Sequence, residues 1–446
     1  MTTKHGRSLI RHAAGLLGTV SGRWTPDAAA ELIDAATGGQ GLGDDGLGAD
    51  GLGDEGLGDE GLGAEGLDGE EIAAPLTQLL ASCAAEAELS AFGRLGLRWD
   101  TLRLLGNVAR LRAEEVRVPA IRAEAITAPL ILTGLPRSGS TFFHRLLLAD
   151  PDAVAPLVWQ TIYPYPDAGA RRDRRAARVD RTLRRFAWFA PALRSVHPLD
   201  SRSPQECTEI TAHVFQSLRF ETMYHVPGYK AWLRGHGHAA AYRFHRRFLQ
   251  HLQHQGQRGR WVLKCPDHVF ALDALRAVYP DARVVFLHRD PLKVLPSVAQ
   301  LTEILRAPFT RRLDRGGIGR MVVEDWVRGA GLMLAEARAP TFPPAQVLHL
   351  RYRDVVQRPI ETVARLYDHF GLTLSAPARS AMAALVAAAP RGGYGENQYS
   401  FAAHGIDPDE LRARFADYVG LFGVPAEGET PAASRGLRTR PAHAGS

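Results

Sequence analysis

The sequence predicts an α/β fold in which helices flank a parallel sheet and a mainly helical insert interrupts it. Four short apolar segments predict strands, and each is followed by a segment with helical periodicity. Strands that are buried on both faces are continuous apolar runs, and strand–helix alternation is typical of a parallel sheet. The predicted strands are PLILTGL (129–135), RWVLK (260–264), ARVVFLHR (282–289) and QVLHLRY (346–352).

Composition and pattern divide the chain into five segments. The glycine-rich repeat GLGDE favours neither a helix nor a core, so it predicts a flexible acidic linker. The α/β domain contains the helical insert at about 160–255, which we expect to form a lid or a subdomain on the acceptor side. The segments are an N-terminal helical segment (1–40), the linker (41–71), a helical lead-in (72–128), the α/β domain (129–424) and a disordered tail (425–446).

Charge is distributed unevenly along the chain. The net charge is +6, yet the linker carries eleven acidic residues and no Lys or Arg, so the rest of the chain is strongly basic. A basic domain favours an anionic ligand such as a nucleotide, a nucleic acid or a lipid head group. No zinc-finger, RNP or helix-turn-helix pattern accompanies this charge, which argues against nucleic acid as the partner.

The cysteines and the hydropathy predict a cytoplasmic protein. Cys83, Cys207 and Cys265 form no CxxC pair and are odd in number, which argues against a disulfide framework and structural zinc. No apolar run reaches the roughly 18–20 residues of a membrane span, so we expect no stable membrane insertion. The oligomeric state is not predicted by any of these patterns.

The strongest local motif is GLPRSGST, Gly134–Thr141, between the first predicted strand and a helix. Such a turn directs successive backbone N–H groups and the positive end of the helix dipole at one point, which favours a bound anion. The glycine spacing is that of the nucleoside-triphosphate P-loop, but Ser140 replaces its lysine. The cation lies instead at Arg137, so the sheet is predicted to be P-loop-like with a different anion.

A second motif follows the third predicted strand. Arg289 ends that strand, Asp290 and Pro291 suit the N-cap and first position of a helix, and Ser297 lies about two turns along it. A guanidinium and a hydroxyl in this arrangement can converge on one phosphate from two sides. The order of the two motifs carries more information than either motif alone.

With both motifs in this order, the sequence resembles the sulfotransferases that use PAPS (3′-phosphoadenosine 5′-phosphosulfate), especially their bacterial branch. The resemblance covers roughly residues 78–424 and rests on GLPRSGSTFFHRLL, RWVLKCPDH and PDARVVFLHRDPLKVLPSVAQL. It implies an enzyme that transfers a sulfuryl group from PAPS to an acceptor and releases PAP (3′-phosphoadenosine 5′-phosphate).

The resemblance also implies a donor site. In that family the first motif wraps the 5′-phosphosulfate, while the arginine and serine of the second motif bind the 3′-phosphate. Tyr352, in LRYRDV, is expected near the adenine, and Arg391, in PRGGYG, near the 3′-phosphate. The other donor ligands carried over are Arg137, Ser138, Gly139, Ser140, Thr141, Arg289 and Ser297.

In-line sulfuryl transfer needs a cation at the leaving oxygen and a base on the opposite side. Arg137 suits the leaving oxygen, and Lys264, at the end of RWVLK, suits the bridging or migrating oxygens. The migrating group carries less negative charge than a phosphoryl group, so side-chain cations suffice and no metal is expected.

The base is left open. Relatives often have a Trp–Glu pair shortly after the first helix, but here the Trp is followed by Gln160, which cannot accept a proton at neutral pH. His268 resembles the histidine found just after the corresponding lysine in other sulfotransferases, and its ordinary pKa suits the task. Glu206, in SPQECTEI, is the second candidate, with His213 and His197 behind it.

The acceptor is also open: a hydroxyl or amine of a small molecule, a lipid such as a glycolipid, or a carbohydrate. Two other functions compete with sulfuryl transfer. A P-loop kinase of a nucleoside or sugar predicts a lysine in the loop and a strand-end aspartate, where this sequence has Ser140, Lys264 and Arg289. A non-catalytic nucleotide-binding protein is the second alternative, because Gln160 replaces the expected base.

Overall fold

A five-stranded sheet forms the centre of the computed structural model, which describes residues 69–166, 172–189, 200–388 and 400–427. The strands are β1 (Leu130–Gly134), β2 (Ala153–Val154), β3 (Arg260–Lys264), β4 (Arg283–His288) and β5 (Val347–Arg351). Their order is β2-β3-β1-β4-β5, and every neighbouring pair runs parallel. The predicted α/β fold with a parallel sheet is therefore confirmed.

The strands are apolar because helices cover both faces of the sheet. In β1, Leu130 and Leu132 pack into one hydrophobic cluster and Ile131 into another, on the opposite face. This is the period-two alternation of a strand, with both faces buried. In the register, Leu132 pairs with Lys264 of β3 and with Val285 of β4, so β1 is held from both sides.

Two helices precede the sheet and one follows β1. Helices α1 (Gly69–Glu86) and α2 (Ala91–Arg117) contribute to the larger cluster, on the face of Ile131. Helix α3 (Ser140–Leu147) packs on the other face, where Phe143 joins the smaller cluster. Residues of α1 and α2 thus contribute to the core that covers one side of the sheet.

The insert between β2 and β3 is mainly helical in the residues that the structure describes. Its last helix, α9, is fixed to α2 because Arg247 and His251 both contact the carboxylate of Glu115. The helices are α4 (Val158–Ile162), α5 (Arg175–Phe189), α6 (Thr208–Thr211), α7 (Arg219–Met223), α8 (Pro227–His236) and α9 (Ala239–His254).

The remaining helices follow β3. Asp290 caps α11 as predicted, since its side chain accepts the N–H of Leu292 at 2.9 Å. No helix in the described ranges is long and apolar enough to cross a membrane. The helices are α10 (Leu272–Val278), α11 (Pro291–Arg306), α12 (Arg315–Arg338), α13 (Tyr352–Gln357), α14 (Pro359–His369), α15 (Ala376–Ala388), α16 (Pro408–Arg414) and α17 (Ala416–Phe422).

The sheet topology determines where a ligand can bind. The chain leaves β1 for one side of the sheet, at β2 and β3, and then crosses to the other side, at β4 and β5. In open parallel sheets, ligands bind at the carboxyl ends of the strands where the direction of progression changes. That point is the end of β1, where the GLPRSGST loop begins.

Some predicted features lie outside the described residues: the segment 1–40, the linker up to residue 68, Arg391 and His197. The predicted disordered tail, 425–446, lies outside them from residue 428 onward. Its first three residues are described, and Glu427 contacts Arg289 there.

Replacing Gly134 by Ala is expected to destabilise the protein. Gly134 has φ +116°, and a Cβ at this position would overlap the main chain of Leu287 in β4. Because both the conformation and the space exclude a side chain, we expect Gly134→Ala to lower the free energy of unfolding by about 2–4 kcal/mol. Urea denaturation followed by circular dichroism measures this change.

The matched control is Gly331→Ala, in the exposed interior of α12, where a Cβ meets nothing within 4 Å. This variant is expected to be more stable by about 0.5–1 kcal/mol, the ordinary gain of Ala over Gly in a helix. Equal effects of the two substitutions would contradict the packing described for β1 and β4.

Candidate active site

The loop after β1 folds around left-handed backbone conformations. Arg137 has φ +57° and Gly139 has φ +79°, and Gly139 is also the N-cap of α3. Alternation of right- and left-handed residues makes successive N–H groups converge, and the helix N-terminus adds a positive potential. Ser138 is fully buried, and its hydroxyl has no hydrogen-bond partner among the described residues. The loop therefore has the form of an anion-binding turn.

The two sequence motifs lie against each other. Nε of Arg137 donates a hydrogen bond to Oγ of Ser297 at 3.2 Å. Nη1 of Arg289 donates to the carbonyl oxygen of Arg137 at 2.6 Å. The residues predicted to bind the two ends of one nucleotide are thus in direct contact, although more than a hundred residues of sequence separate them.

The positive charges of the two arginines are close enough to influence each other. Burial lowers the pKa of the Arg137 guanidinium, and the charge of Arg289 lowers it further. An anion placed between them would relieve this repulsion, because an opposite charge favours the charged form of each group. The electrostatics of the site thus favour an anion near the two arginines.

An aromatic ring completes this part of the site. The guanidinium of Arg289 lies 3.8 Å from the centroid of the Tyr352 ring, within the range of a cation–π contact. The same ring packs against the loop, where a Cβ on Gly139 would approach it to 3.0 Å. Tyr352 begins α13 directly after β5 and thereby connects the fifth strand with both motifs.

Lys264 reaches the loop from the end of β3. Its ammonium group forms an ion pair with the Glu206 carboxylate and lies 3.4 Å from Oγ1 of Thr141. The main-chain N–H of Cys207 donates to the carbonyl oxygen of Lys264 at 3.3 Å, which keeps the Glu206 segment beside the strand. Two residues that the sequence singled out separately therefore form one pair.

His268 lies deeper than a catalytic base needs to be. It is 2% exposed, and its Nδ1 is 2.5 Å from the Tyr242 hydroxyl. Burial, followed by the nearby His245, holds the pKa of His268 well below its ordinary value. Its ring lines a small cleft with Tyr242, Thr208 and Thr211.

Asp267 lines the same cleft and was missed by the sequence analysis. Burial, and then the negative charge of Glu206, raises the pKa of Asp267 to about 7. The turn that carries it is tied to β1, since the Thr133 hydroxyl donates to the carbonyl oxygen of Pro266 at 3.1 Å. The signal in the sequence that could have identified Asp267 is its position three residues after Lys264.

Gln160 and His213 have structural contacts. Oε1 of Gln160 accepts the N–H of Leu157 at the start of α4, at 2.8 Å, and its Nε2 donates to Oε1 of Gln257 at 2.6 Å. His213 is fully buried beside Asn107, and burial lowers its pKa to about 3. Neither side chain is placed to accept a proton from an acceptor.

Among the described residues, no group of three or more His, Cys, Asp or Glu could hold a metal ion.

Glu427 is the second residue that the sequence analysis missed. Its carboxylate forms two hydrogen bonds with Arg289, both at 2.8 Å. No sequence pattern signals this contact, because a single glutamate in a segment rich in Ala, Gly and Pro matches no motif.

Comparisons with known proteins give these contacts a family context. A model of the sulfotransferase family matches residues 129–376. The chain is 26% identical over 272 residues to the omega-hydroxy-beta-dihydromenaquinone-9 sulfotransferases Stf3 of Mycobacterium bovis and Mycobacterium tuberculosis. This similarity covers 56% of this chain and 65% of each relative, so the chain spans slightly less than two thirds of the length of those relatives.

Two solved structures resemble the whole arrangement. Sulfotransferase STF9 from Mycobacterium avium has a TM-score of 0.73 at 25% identity, over 81% of this chain and 94% of that one. Sulfotransferase STF1 from Mycobacterium tuberculosis has a TM-score of 0.65 at 30% identity, over 79% of this chain and 94% of that one. The family match spans more than half of the sequence and includes both sequence motifs. The chain therefore belongs to the sulfotransferase family.

Proposed function

We propose that this protein transfers the sulfuryl group of PAPS to a hydroxyl group of an acceptor by in-line displacement. The observation that carries the proposal is the junction of the two motifs, where Arg137 contacts Ser297 and Arg289 contacts the Arg137 carbonyl. A nucleotide with phosphates at both its 5′ and 3′ positions presents two anions to one such cationic surface.

The donor lies along this junction. The loop residues Arg137–Thr141 bind the 5′-phosphosulfate through backbone N–H groups, hydroxyls and the Arg137 guanidinium. Arg289 and Ser297 bind the 3′-phosphate, and Tyr352 packs beside the adenine. Arg391, outside the described residues, stays a predicted contact of the 3′-phosphate.

Lys264 exchanges the carboxylate of Glu206 for the sulfuryl group of PAPS when the donor binds. Its ammonium group contacts Glu206 and the loop hydroxyl of Thr141, so a short movement brings it to the sulfuryl oxygens. Charge then develops on the leaving phosphate oxygen, which Arg137 stabilises. Lys264 and Arg137 thereby act on opposite sides of the bond that breaks, which joins the sulfur to the leaving phosphate oxygen.

Glu206 is the base in this mechanism. Its side chain is 32% exposed, so an acceptor hydroxyl can reach it, and its ion pair with Lys264 places it next to the migrating group. His268 is buried and has a strongly lowered pKa, which makes it a poor proton acceptor at neutral pH. Its side chain lines the small cleft beside Tyr242.

The competing functions lack a supporting contact. A kinase of the P-loop type uses a loop lysine for the β- and γ-phosphates, and Ser140 stands at that position. A protein that only stores a nucleotide has no use for a Lys264–Glu206 pair directed at the phosphosulfate loop. The buried and unpaired cysteines suit a reducing compartment, in keeping with a cytoplasmic enzyme.

The acceptor is a hydroxylated lipid. The Stf3 relatives are named for an omega-hydroxylated menaquinone derivative, and that name supports a lipid hydroxyl as the acceptor group. Incubating the protein with PAPS and a lipid extract is expected to add the mass of one SO₃ group to a lipid, detected by mass spectrometry. A transfer that requires ATP and magnesium instead would support the kinase.

Arg289→Ala is expected to weaken PAP binding by about 30- to 100-fold, because a bidentate charge-assisted contact with the 3′-phosphate is lost. Isothermal titration calorimetry measures the change. The matched control is Arg353→Ala, since Arg353 is exposed one position after Tyr352 and contacts Gln357. Its PAP affinity is expected to stay within about twofold. Equal affinities for PAP in all three proteins would remove Arg289 from the donor site.

Glu206→Gln is expected to lower kcat by about 10²–10⁴-fold, the usual contribution of a positioned base. PAP affinity is expected to change little, because Glu206 does not contact the nucleotide in the proposed site. His268→Asn serves as the comparison and should retain kcat within about tenfold. Steady-state assays with the acceptor from the lipid screen measure both variants, and the opposite ranking would assign the base to His268.

A further inference from the structure

Glu427 lies on Arg289, the residue to which the proposed function assigns the 3′-phosphate. Its carboxylate oxygens accept hydrogen bonds from Nε and Nη2 of Arg289, each at 2.8 Å. The main-chain N–H of Glu427 donates to Oδ2 of Asp290 at 2.9 Å. The segment after α17 is thus fixed by both its side chain and its backbone at the start of α11.

The Glu427 contact uses an edge of the guanidinium that matches a phosphate. The Nε–Nη2 fork binds two oxygens of a carboxylate or of a phosphate in the same geometry. Elsewhere on Arg289, Nη1 donates to the Arg137 carbonyl and the Tyr352 ring covers one face. A 3′-phosphate that binds this fork must therefore displace the carboxylate of Glu427.

We propose that Glu427 is a further residue of the donor site. Its carboxylate occupies the position of the 3′-phosphate in the free protein, and the 3′-phosphate displaces it when the nucleotide binds. The inference rests on the proposed function. Both side chains are partly exposed, Arg289 by 20% and Glu427 by 26%, so the carboxylate can turn toward solvent. The backbone hydrogen bond to Asp290 does not depend on that movement.

The exchange lowers the affinity for nucleotides that carry a 3′-phosphate and leaves the affinity for other nucleotides unchanged. A ligand that binds only one state of a protein has an apparent affinity equal to its intrinsic affinity multiplied by the populated fraction of that state. The Glu427–Arg289 pair therefore weakens the binding of any nucleotide whose phosphate needs the Nε–Nη2 edge of Arg289. PAPS and PAP both carry the 3′-phosphate, whereas 5′-AMP lacks it and leaves the pair intact. When PAP departs, the returning carboxylate replaces it, which favours release of the product.

Calorimetric titration of the full-length Glu427→Gln variant tests this exchange. The dissociation constant for PAP is expected to fall about fivefold, because the competing anion is removed. The dissociation constant for 5′-AMP, measured in parallel, is expected to stay the same. Glu361→Gln is the matched control, since it removes one negative charge from a side chain that is 75% exposed on α14, and it should leave both constants unchanged.

The outcomes separate this inference from the proposed function. If wild type prefers PAP over 5′-AMP and Arg289→Ala abolishes the preference, the donor site stands. Weaker PAP binding by Glu427→Gln would then overturn the exchange alone and show that Glu427 orients Arg289. Unchanged PAP binding would also overturn the exchange alone and leave Glu427 without a role in PAP binding. If wild type binds PAP no better than 5′-AMP, the donor site fails and the exchange fails with it.

Discussion

The rest of the site depends on the proximity of two guanidinium groups, those of Arg137 and Arg289. Arg289 is held by the carbonyl oxygen of Arg137, which the left-handed conformation of Arg137 turns toward it. Burial and mutual repulsion both disfavour two cations in one place. The chain places the carboxylates of Glu206 and Glu427 nearby, and each of them pairs with a cation of the site. These carboxylates offset the repulsion between the two cations, and the anionic donor that we propose would do the same when it binds.

The sheet brings the two motifs together. Because β1 lies between β3 and β4, the loop that follows β1 meets Lys264 on one side and Arg289 on the other. The close approach of β1 to β4 requires Gly134, where any side chain would overlap the main chain of Leu287. One backbone position therefore couples the stability of the sheet to the geometry of the loop that follows β1.

Much of this arrangement could be predicted from the sequence, because parallel strands end at a common edge. The order of the loop, the strand-end lysine and the capped arginine predicts that these groups meet. The contacts of Glu427 and Gln160 could not be predicted. Glu427 reaches Arg289 across 138 positions with no motif to mark it. The replacement of a base by Gln160 is visible in the sequence, but its hydrogen bonds at the start of α4 depend on tertiary structure.

Two cations of the proposed donor site are thus paired with carboxylates of the protein itself, Lys264 with Glu206 and Arg289 with Glu427. In the proposed reaction the donor replaces both carboxylates, one with its sulfuryl oxygens and the other with its 3′-phosphate. The two carboxylates that are released then have different roles. Glu427 turns to solvent, whereas Glu206 stays beside the migrating group without its counter-ion and is free to accept a proton. In this proposal the ion pair with Lys264 persists until the donor arrives, so Glu206 becomes available as a base only when the sulfuryl group is in place. Donor binding would thereby be coupled to activation of the acceptor.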